Sequence, residues 1–503
     1  MKKHLRIYYT SDTHGYLFAQ DDATGTPKAT GLLSCLADYR KDGNTLVIDG
    51  GDTFQGSPFA MYLQEQDLGP AMIAQVLNTG GYDYVTIGNH DIDYGKAYLH
   101  QFLTTLDAKC LCSNLQDSAG ELPIFPSDIK VMANGLTIGI IGATTDHINI
   151  WAKPEHLKTL HITDPFVALQ QALDRLKAQV DITIGVYHGG FERDVVTGRL
   201  LSDTTENIAY KIASELSFDL LLTGHQHLPL ANTTINGTHV VQPPHKADRY
   251  VCIDLFTEAD TTTITSQLVQ PTGAYDPAPH RALLAVEAKV QAYLDQPIGR
   301  LSQALMPTDK LTMALQGHSL VDFLHQIQRH ATGADISVTS LANDIKGFSQ
   351  SVTIRDLVST FVYPNTLVAL ALTGAMLKAA MERSCAYFDT SQGTPAISAT
   401  FLAPKVEHYN YDYYSVGFTA DLRKPVGQRV LAIHYKDKPL ADTDTVTVVV
   451  SNYRATGTGG YPMYPSAKVL GETSHNITEI LIDYFKAHEV VTVQPAPRPA
   501  FLF

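Results

Sequence analysis

The chain has 503 residues, of which 44% are hydrophobic and 17% charged, and a formal net charge of −14. Its length exceeds one ordinary domain, so two domains are expected, and no apolar run approaches the roughly 20 residues that span a membrane. The acidic balance, without a Lys/Arg run, argues against duplex nucleic acid as a partner. An acidic chain can still bind an anion where metal ions supply local positive charge, which points to a small phosphorylated molecule.

The chain opens Met1-Lys2-Lys3, but no apolar stretch of signal-peptide type follows. The cytoplasm is the expected location, or the exterior if a leader has been removed. The first half then repeats one pattern, a short apolar run ending in a polar cluster. Residues 5–9 precede Asp12-Thr13-His14, and residues 46–48 precede Asp49-Gly50-Gly51-Asp52. Residues 84–87 precede Gly88-Asn89-His90-Asp91. Residues 182–187 precede His188-Gly189-Gly190, and residues 220–223 precede Gly224-His225-Gln226-His227. The runs read as buried strands. Asp164-Pro165 opens a helix predicted to run to Leu176, with an N-cap followed by Pro at the first helical position. Alternating strands and helices indicate an α/β domain, whose ligands bind at the carboxyl ends of the strands.

Residues 260–280, rich in Thr, Pro and Ala, read as a linker, and residues 280–294 as a helix leading to a second domain. Beyond it, helices are expected at 319–331, 373–387 and 474–488, and a strand at 445–450. The tail at 494–499 reads as peripheral. The resulting division is 1–275, a hinge at 276–300, and 301–503. Cys35, Cys110, Cys112, Cys252 and Cys385 form an odd, scattered set, which argues for buried thiols rather than a disulfide framework.

Phosphate esters resist hydrolysis because the attacking oxygen meets an anion. Two divalent metals overcome this by acidifying water and clamping the phosphate oxygens. Such a site needs a bridging carboxylate, neutral imidazoles and oxygen ligands. Asp12 and His14, two residues apart in extended chain, would share a side. Asp52 is the natural bridge, Asn89 offers an amide oxygen, and His188, His225 and His227 offer imidazoles. A lone Asp or His at a strand end is ordinarily a cap or turn residue, and Asp49, Asp21, Asp22 and His147 are placed in that class.

D-x-H, G-D-x, G-N-H-D, H-G-G and G-H-x-H, in this order, resemble the calcineurin-like metallophosphoesterases. Gly88-Asn89-His90-Asp91-Ile92-Asp93 is similar to the form in the bacterial 5′-nucleotidase and 2′,3′-cyclic-nucleotide phosphodiesterase branch. The resemblance implies an N-terminal four-layer αββα sandwich and a C-terminal α+β domain. It implies one metal held by Asp12, His14, Asp52 and His227, and a second by Asp52, Asn89, His188 and His225. It also implies that His90, paired with Asp93, faces the phosphate as a catalytic group. Mn, Zn, Fe and Co all suit such a mixed nitrogen and oxygen set.

The second half carries Tyr363-Pro364-Asn365-Thr366-Leu367, Leu372-Thr373-Gly374-Ala375 and Asn452-Tyr453-Arg454-Ala455, which resemble the C-terminal domain of the same nucleotidases. There two aromatic rings sandwich the base, and the matching candidates are Tyr453 with Tyr409 or Tyr411. Asn410 and Asp412 are candidates to bond the base or ribose. Many 5′-nucleotidases carry an N-G-G-x-R element after a strand like residues 334–339. Here Ser340-Leu341-Ala342-Asn343-Asp344-Ile345-Lys346 lacks its glycines and arginine. The tyrosine motifs look closer to the cyclic-phosphodiesterase/3′-nucleotidase branch.

The expected activity is in-line attack of metal-bound hydroxide on 2′,3′-cyclic nucleotides or on 3′- or 5′-nucleoside monophosphates. A UDP-sugar or other phosphoanhydride hydrolase on the same metals is the alternative. A non-catalytic nucleotide-binding protein would carry a degraded metal set, and none of these positions is degraded.

Overall fold

The computed structural model describes residues 2–201, 204–258, 261–343, 345–361, 365–402, 410–436, 438–473 and 475–503. It forms two compact units, Met1–Val290 and Gln291–Phe503. The division falls inside the helix Arg281–Leu294.

The first unit holds two large sheets. In one, seven strands run in the order Thr261–Val269, Tyr250–Glu258, Lys3–Thr10, Thr45–Asp49, Tyr84–Val85, Lys109–Leu111 and Ile124–Phe125. In the other, six run Leu230–Ile235, Thr238–Gln242, Leu220–Thr223, Ile182–His188, Thr137–Thr144 and Ser127–Val131. Alternation along the strands builds the layers, because successive side chains point to opposite faces. Ile140, Val186, Leu222 and Val241 join Leu5, Ile7, Leu46 and Ile253 in one core between the sheets. Their neighbours Ile141, Tyr187, Leu221 and Val240 face the other way, onto Leu169, Leu173 and Ile212 of helices Pro165–Leu176 and Ala209–Glu215. On the outer face of the first sheet, Tyr8 stacks on Tyr39, just past helix Leu32–Asp38, with ring centroids 4.3 Å apart. The αββα sandwich is thus a consequence of period-two burial on two sheets.

Asp164 caps its helix by accepting from the N–H groups of Phe166 and Val167. The 260–280 linker expectation needs correction. Thr261–Val269 is a nine-residue strand, paired antiparallel with Tyr250–Glu258, which in turn pairs with Lys3–Thr10. This is an edge strand rich in threonine, which favours extended chain through β-branching; Ile264 and Leu268 on one side pack against the core while most of the threonines are exposed.

The second unit centres on a five-stranded sheet in the order Asp412–Tyr414, Ile336–Ser340, Thr445–Ser451, Leu367–Thr373 and Lys468–Glu472. Helices Ser319–Thr332, Gly374–Cys385 and Ile477–Ala487 bury Phe323, Leu377 and Leu481 in its core. The last helix starts at a capping box of Asn476 and Glu479 rather than at 474, a position outside the described residues. All five cysteines are free thiols. Among the described residues no helix is long and apolar enough to cross a membrane.

Candidate metal centre

Strands Lys3–Thr10, Thr45–Asp49 and Tyr84–Val85 are parallel neighbours, as are Thr137–Thr144, Ile182–His188 and Leu220–Thr223. Parallel pairing puts the carboxyl ends of each set on one edge, and the polar clusters begin there. Their backbone is not extended. Asp12, His14, Asp52, His225 and His227 have φ of 57°, 51°, 54°, 69° and 57°. This left-handed region is uncommon for residues with a Cβ, and such strain persists only where the surroundings over-determine it. The expectation that Asp12 and His14 share a side through extended chain is therefore corrected, since two left-handed residues bring them together instead.

Backbone bonds impose this conformation. The N–H groups of Asp12, His14 and Gly15 donate to the carbonyls of Gly51, Asp52 and Thr53 at 2.8, 2.8 and 2.7 Å, zipping two loops together. Asp91 draws in a third loop by accepting from the N–H groups of Asp52 (2.9 Å), Thr53 (2.8 Å) and Gly88 (2.8 Å). The approach is close enough that a Cβ on Gly88 would lie 2.1 Å from Asp52 Oδ1. Asp49 is a clamp of the same kind, accepting from Thr10, Thr53 and the N–H of Gly51. Asp21 accepts from the N–H of Ala23 in a turn, and Asp22 accepts from Gln20. His147 precedes the short helix Ile148–Trp151.

Two clusters of ligand-type side chains result, Asp12 with His14 and His227, and Asp52 with His188 and His225, each with its ligand-type atoms within 4.8 Å of one another. The side chains of His14, His188 and His227 are 6%, 0% and 8% exposed. A carbonyl can only accept, so the bonds from His14 Nδ1 to Gln55 O and from His188 Nδ1 to Gly50 O, both 2.7 Å, leave each Nε2 to face inward. His14 Nε2 lies 3.4 Å from His227 Nε2, which is 3.3 Å from Asp12 Oδ1. His188 Nε2 lies 3.3 Å from Asp52 Oδ2 and 3.2 Å from Asn89 Oδ1. Asp52 Oδ2 is also 4.0 Å from His14 Nε2, while Asp52 Oδ1 accepts the His90 N–H at 2.7 Å. One carboxylate thus stands between the two clusters.

The electrostatics ask for positive charge. Burial disfavours a protonated His188, yet Asp52 and Asp12 outweigh it and raise that imidazole to about 10. Burial also opposes ionisation of Asp52, and the charges of His188 and His90 still hold its carboxyl well below the usual range. Burial leads in pushing His14 down toward its neutral form. Buried carboxylates that bind a proton on a neighbouring imidazole would equally bind a cation, and converging imidazole nitrogens with carboxylate and amide oxygens form a chemically suitable donor set for divalent metals. His90 stands beside this set, its Nδ1 2.7 Å from Asp93 Oδ2. Burial opposes its protonation, but Asp93 and Asp52 raise it to about 9.

Asp91 lay within the G-N-H-D motif, and its clamping role is visible only in three dimensions. Glu206 and Trp151, both beside His225, belong to none of the strand-end motifs, and only the fold brings them there.

The candidates in the second unit fare differently. Tyr409 lies outside the described residues. Tyr411, the other stacking candidate, is buried and packed among Tyr387, Phe388 and Tyr413, with its hydroxyl donating to Ala314 O. Asp412 is fully buried in an ion pair with Arg454, 2.7 Å from Nη2, and accepts from Ser340 as well. Both of these partners engage Oδ1, while the buried Oδ2 has no hydrogen-bond partner among the described residues. Asn410 is buried, and Tyr453 is half-buried in the short helix Asn452–Ala455, next to Arg454.

The calcineurin-like phosphoesterase family matches residues 5–229, and the 5′-nucleotidase C-terminal domain matches residues 297–466. A solved Staphylococcus aureus structure, provisionally assigned as a 5′-nucleotidase and in complex with alpha-ketoglutarate, is 30% identical, covers 100% of both chains and superposes with a TM-score of 0.91. The 2′,3′-cyclic-nucleotide 2′-phosphodiesterase/3′-nucleotidase of Salmonella typhimurium is 24% identical over 90% of this chain and 81% of its own length. The trifunctional nucleotide phosphoesterase protein YfkN of Bacillus subtilis is 22% identical over 97% of this chain, which spans 38% of that longer protein. With strand-end clusters that converge as this fold requires, the chain belongs to the calcineurin-like metallophosphoesterases, in the group that carries a 5′-nucleotidase C-terminal domain.

Proposed function

We propose that this protein hydrolyses nucleotide phosphate esters, namely 2′,3′-cyclic nucleotides and 3′- or 5′-nucleoside monophosphates, at a dinuclear centre of Mn, Zn, Fe or Co. The observation that carries this reading is the position of Asp52, whose Oδ2 lies 3.3 Å from His188 Nε2 and 4.0 Å from His14 Nε2. Asp12, His14 and His227 would hold one cation, Asn89, His188 and His225 the other, with Asp52 shared. Bound there, two divalent cations supply an acidified water and neutralise the phosphate oxygens.

The remaining work belongs to the chain's own residues. Asp93 fixes His90 through Nδ1, so that Nε2 is the nitrogen that can carry a proton to a leaving oxygen or stabilise charge on the phosphate. Tyr453 and Tyr409 would hold the base between their rings, since stacking accepts any base. The domain reading that goes with this takes 1–275 as the catalytic part, 276–300 as the hinge and 301–503 as the part that presents the nucleoside. The altered stretch at 340–346 and the names of the relatives support cyclic and 3′-phosphorylated substrates alongside 5′-monophosphates.

The test is hydrolysis by Mn²⁺-loaded protein of 2′,3′-cyclic AMP, 3′-AMP, 5′-AMP and a UDP-sugar, with products resolved by chromatography. Turnover of at least one of the adenine nucleotides is expected. Activity confined to the UDP-sugar would replace this reading with a phosphoanhydride hydrolase.

A further inference from the structure

His225 is turned differently from the other candidate ligands. His14 and His188 anchor Nδ1 on backbone carbonyls and turn Nε2 inward. In His225 it is Nε2 that is taken, 3.1 Å from Glu206 Oε1. Trp151 stacks on the same ring, with centroids 5.5 Å apart and planes at 27°. The backbone N–H of His225 donates to both carboxylate oxygens of Asp12, at 3.0 and 3.1 Å. Main chain, ring face and ring edge of His225 are therefore each held by a different element.

Glu206 is itself anchored. Its carbonyl accepts from Thr145 Oγ1 at 2.9 Å, just past the end of strand Thr137–Thr144. Its neighbour Asn207, buried, accepts the N–H of Gly190 at 2.7 Å, in the loop that follows His188. The carboxylate, whose side chain is 25% exposed, lies over the His225 ring edge.

A neutral imidazole carries one N–H and one lone pair, and the partner of the first decides where the second points. We infer that Glu206 is a positioning residue for His225, accepting the Nε2–H so that Nδ1 is presented to the cation shared with Asp52 and His188. This rests on the dinuclear reading above and adds to it a side chain that sets the affinity of one of the two metals.

The experiment is Mn²⁺ titration of metal-stripped full-length protein by calorimetry, in parallel with the fluorescence of Trp151, the chain's one tryptophan. Wild type should take up two Mn²⁺, with quenching concentrated in the step that fills the His225 side; uptake of fewer than two would count against the dinuclear reading itself. Glu206→Leu should weaken one of the two affinities by about 10- to 100-fold, the range seen when a partner behind a ligand is lost, and leave the other unchanged. Glu206→Gln keeps an acceptor oxygen and should restore most of that loss, and the metal-free melting temperature should be the same in all three proteins. Wild-type affinities in Glu206→Leu, or an equal loss at both sites, would overturn the inference. Glu206→Gln as damaging as Glu206→Leu would also overturn it, by making the carboxylate a direct ligand.

Discussion

In the first unit, polar side chains at strand ends sit on left-handed backbone and converge on two small clusters. In the second, two of the residues singled out by motif are engaged inside the protein, Tyr411 in the core and Asp412 through one oxygen on Arg454. The difference is one of chemistry. An Asp or His has no favourable reason to be buried among its own kind without a ligand or partner, so a cluster of them reports a site. A tyrosine ring packs as readily against other rings as against a base, so its presence in a motif says little until the neighbours are seen.

Four substitutions would break or sharpen that contrast. Asp52→Ala removes the group shared by both clusters. It should lower kcat by at least about 10³-fold, since metal-derived charge stabilisation is worth several kcal/mol, and bound metal should fall in elemental analysis. Near-normal turnover would dissolve the site. His90→Ala should lower kcat by about 10²- to 10⁴-fold, the span of general acid–base contributions, with bound metal retained; loss of metal instead would make His90 a ligand.

Arg454→Met leaves Asp412 buried without its cation, for which the expected cost is about 3–5 kcal/mol. Denaturant unfolding of the second unit should show it, with metal uptake unchanged. A mild effect there would mean that Asp412 is free to serve a ligand after all. Tyr453→Ala should raise KM for nucleotides by an amount corresponding to about 1–3 kcal/mol, the value of one stacked base. It should leave kcat and the hydrolysis of a base-free aryl phosphate unaltered. An equal loss on the base-free substrate would return Tyr453 to the class of packing residues.

Much of the first unit was legible. Apolar runs ending in Asp, His, Asn and Gly fix both the strands and their carboxyl ends, and parallel pairing does the rest. The edge strand Thr261–Val269 was not legible, because its core-facing side carries only Ile264 and Leu268, separated by a serine, within a run of exposed threonines. Asp91 falls within the G-N-H-D motif, but nothing local marks it as the acceptor for three loop N–H groups. The roles of Glu206 and Trp151 are not legible in the sequence, because their relation to His225 spans 19 and 74 positions of chain with no periodicity connecting them.

Sequence alone determined the identity and order of the ligand-type residues, since their chemistry is carried by residue type and their placement by the strands that precede them. Only the tertiary structure decided which nitrogen each imidazole turns inward, which acids are clamps rather than ligands, and which tyrosines are core. Those outcomes depend on hydrogen-bond partners and packing supplied by distant segments, and local sequence does not encode what will stand across the gap.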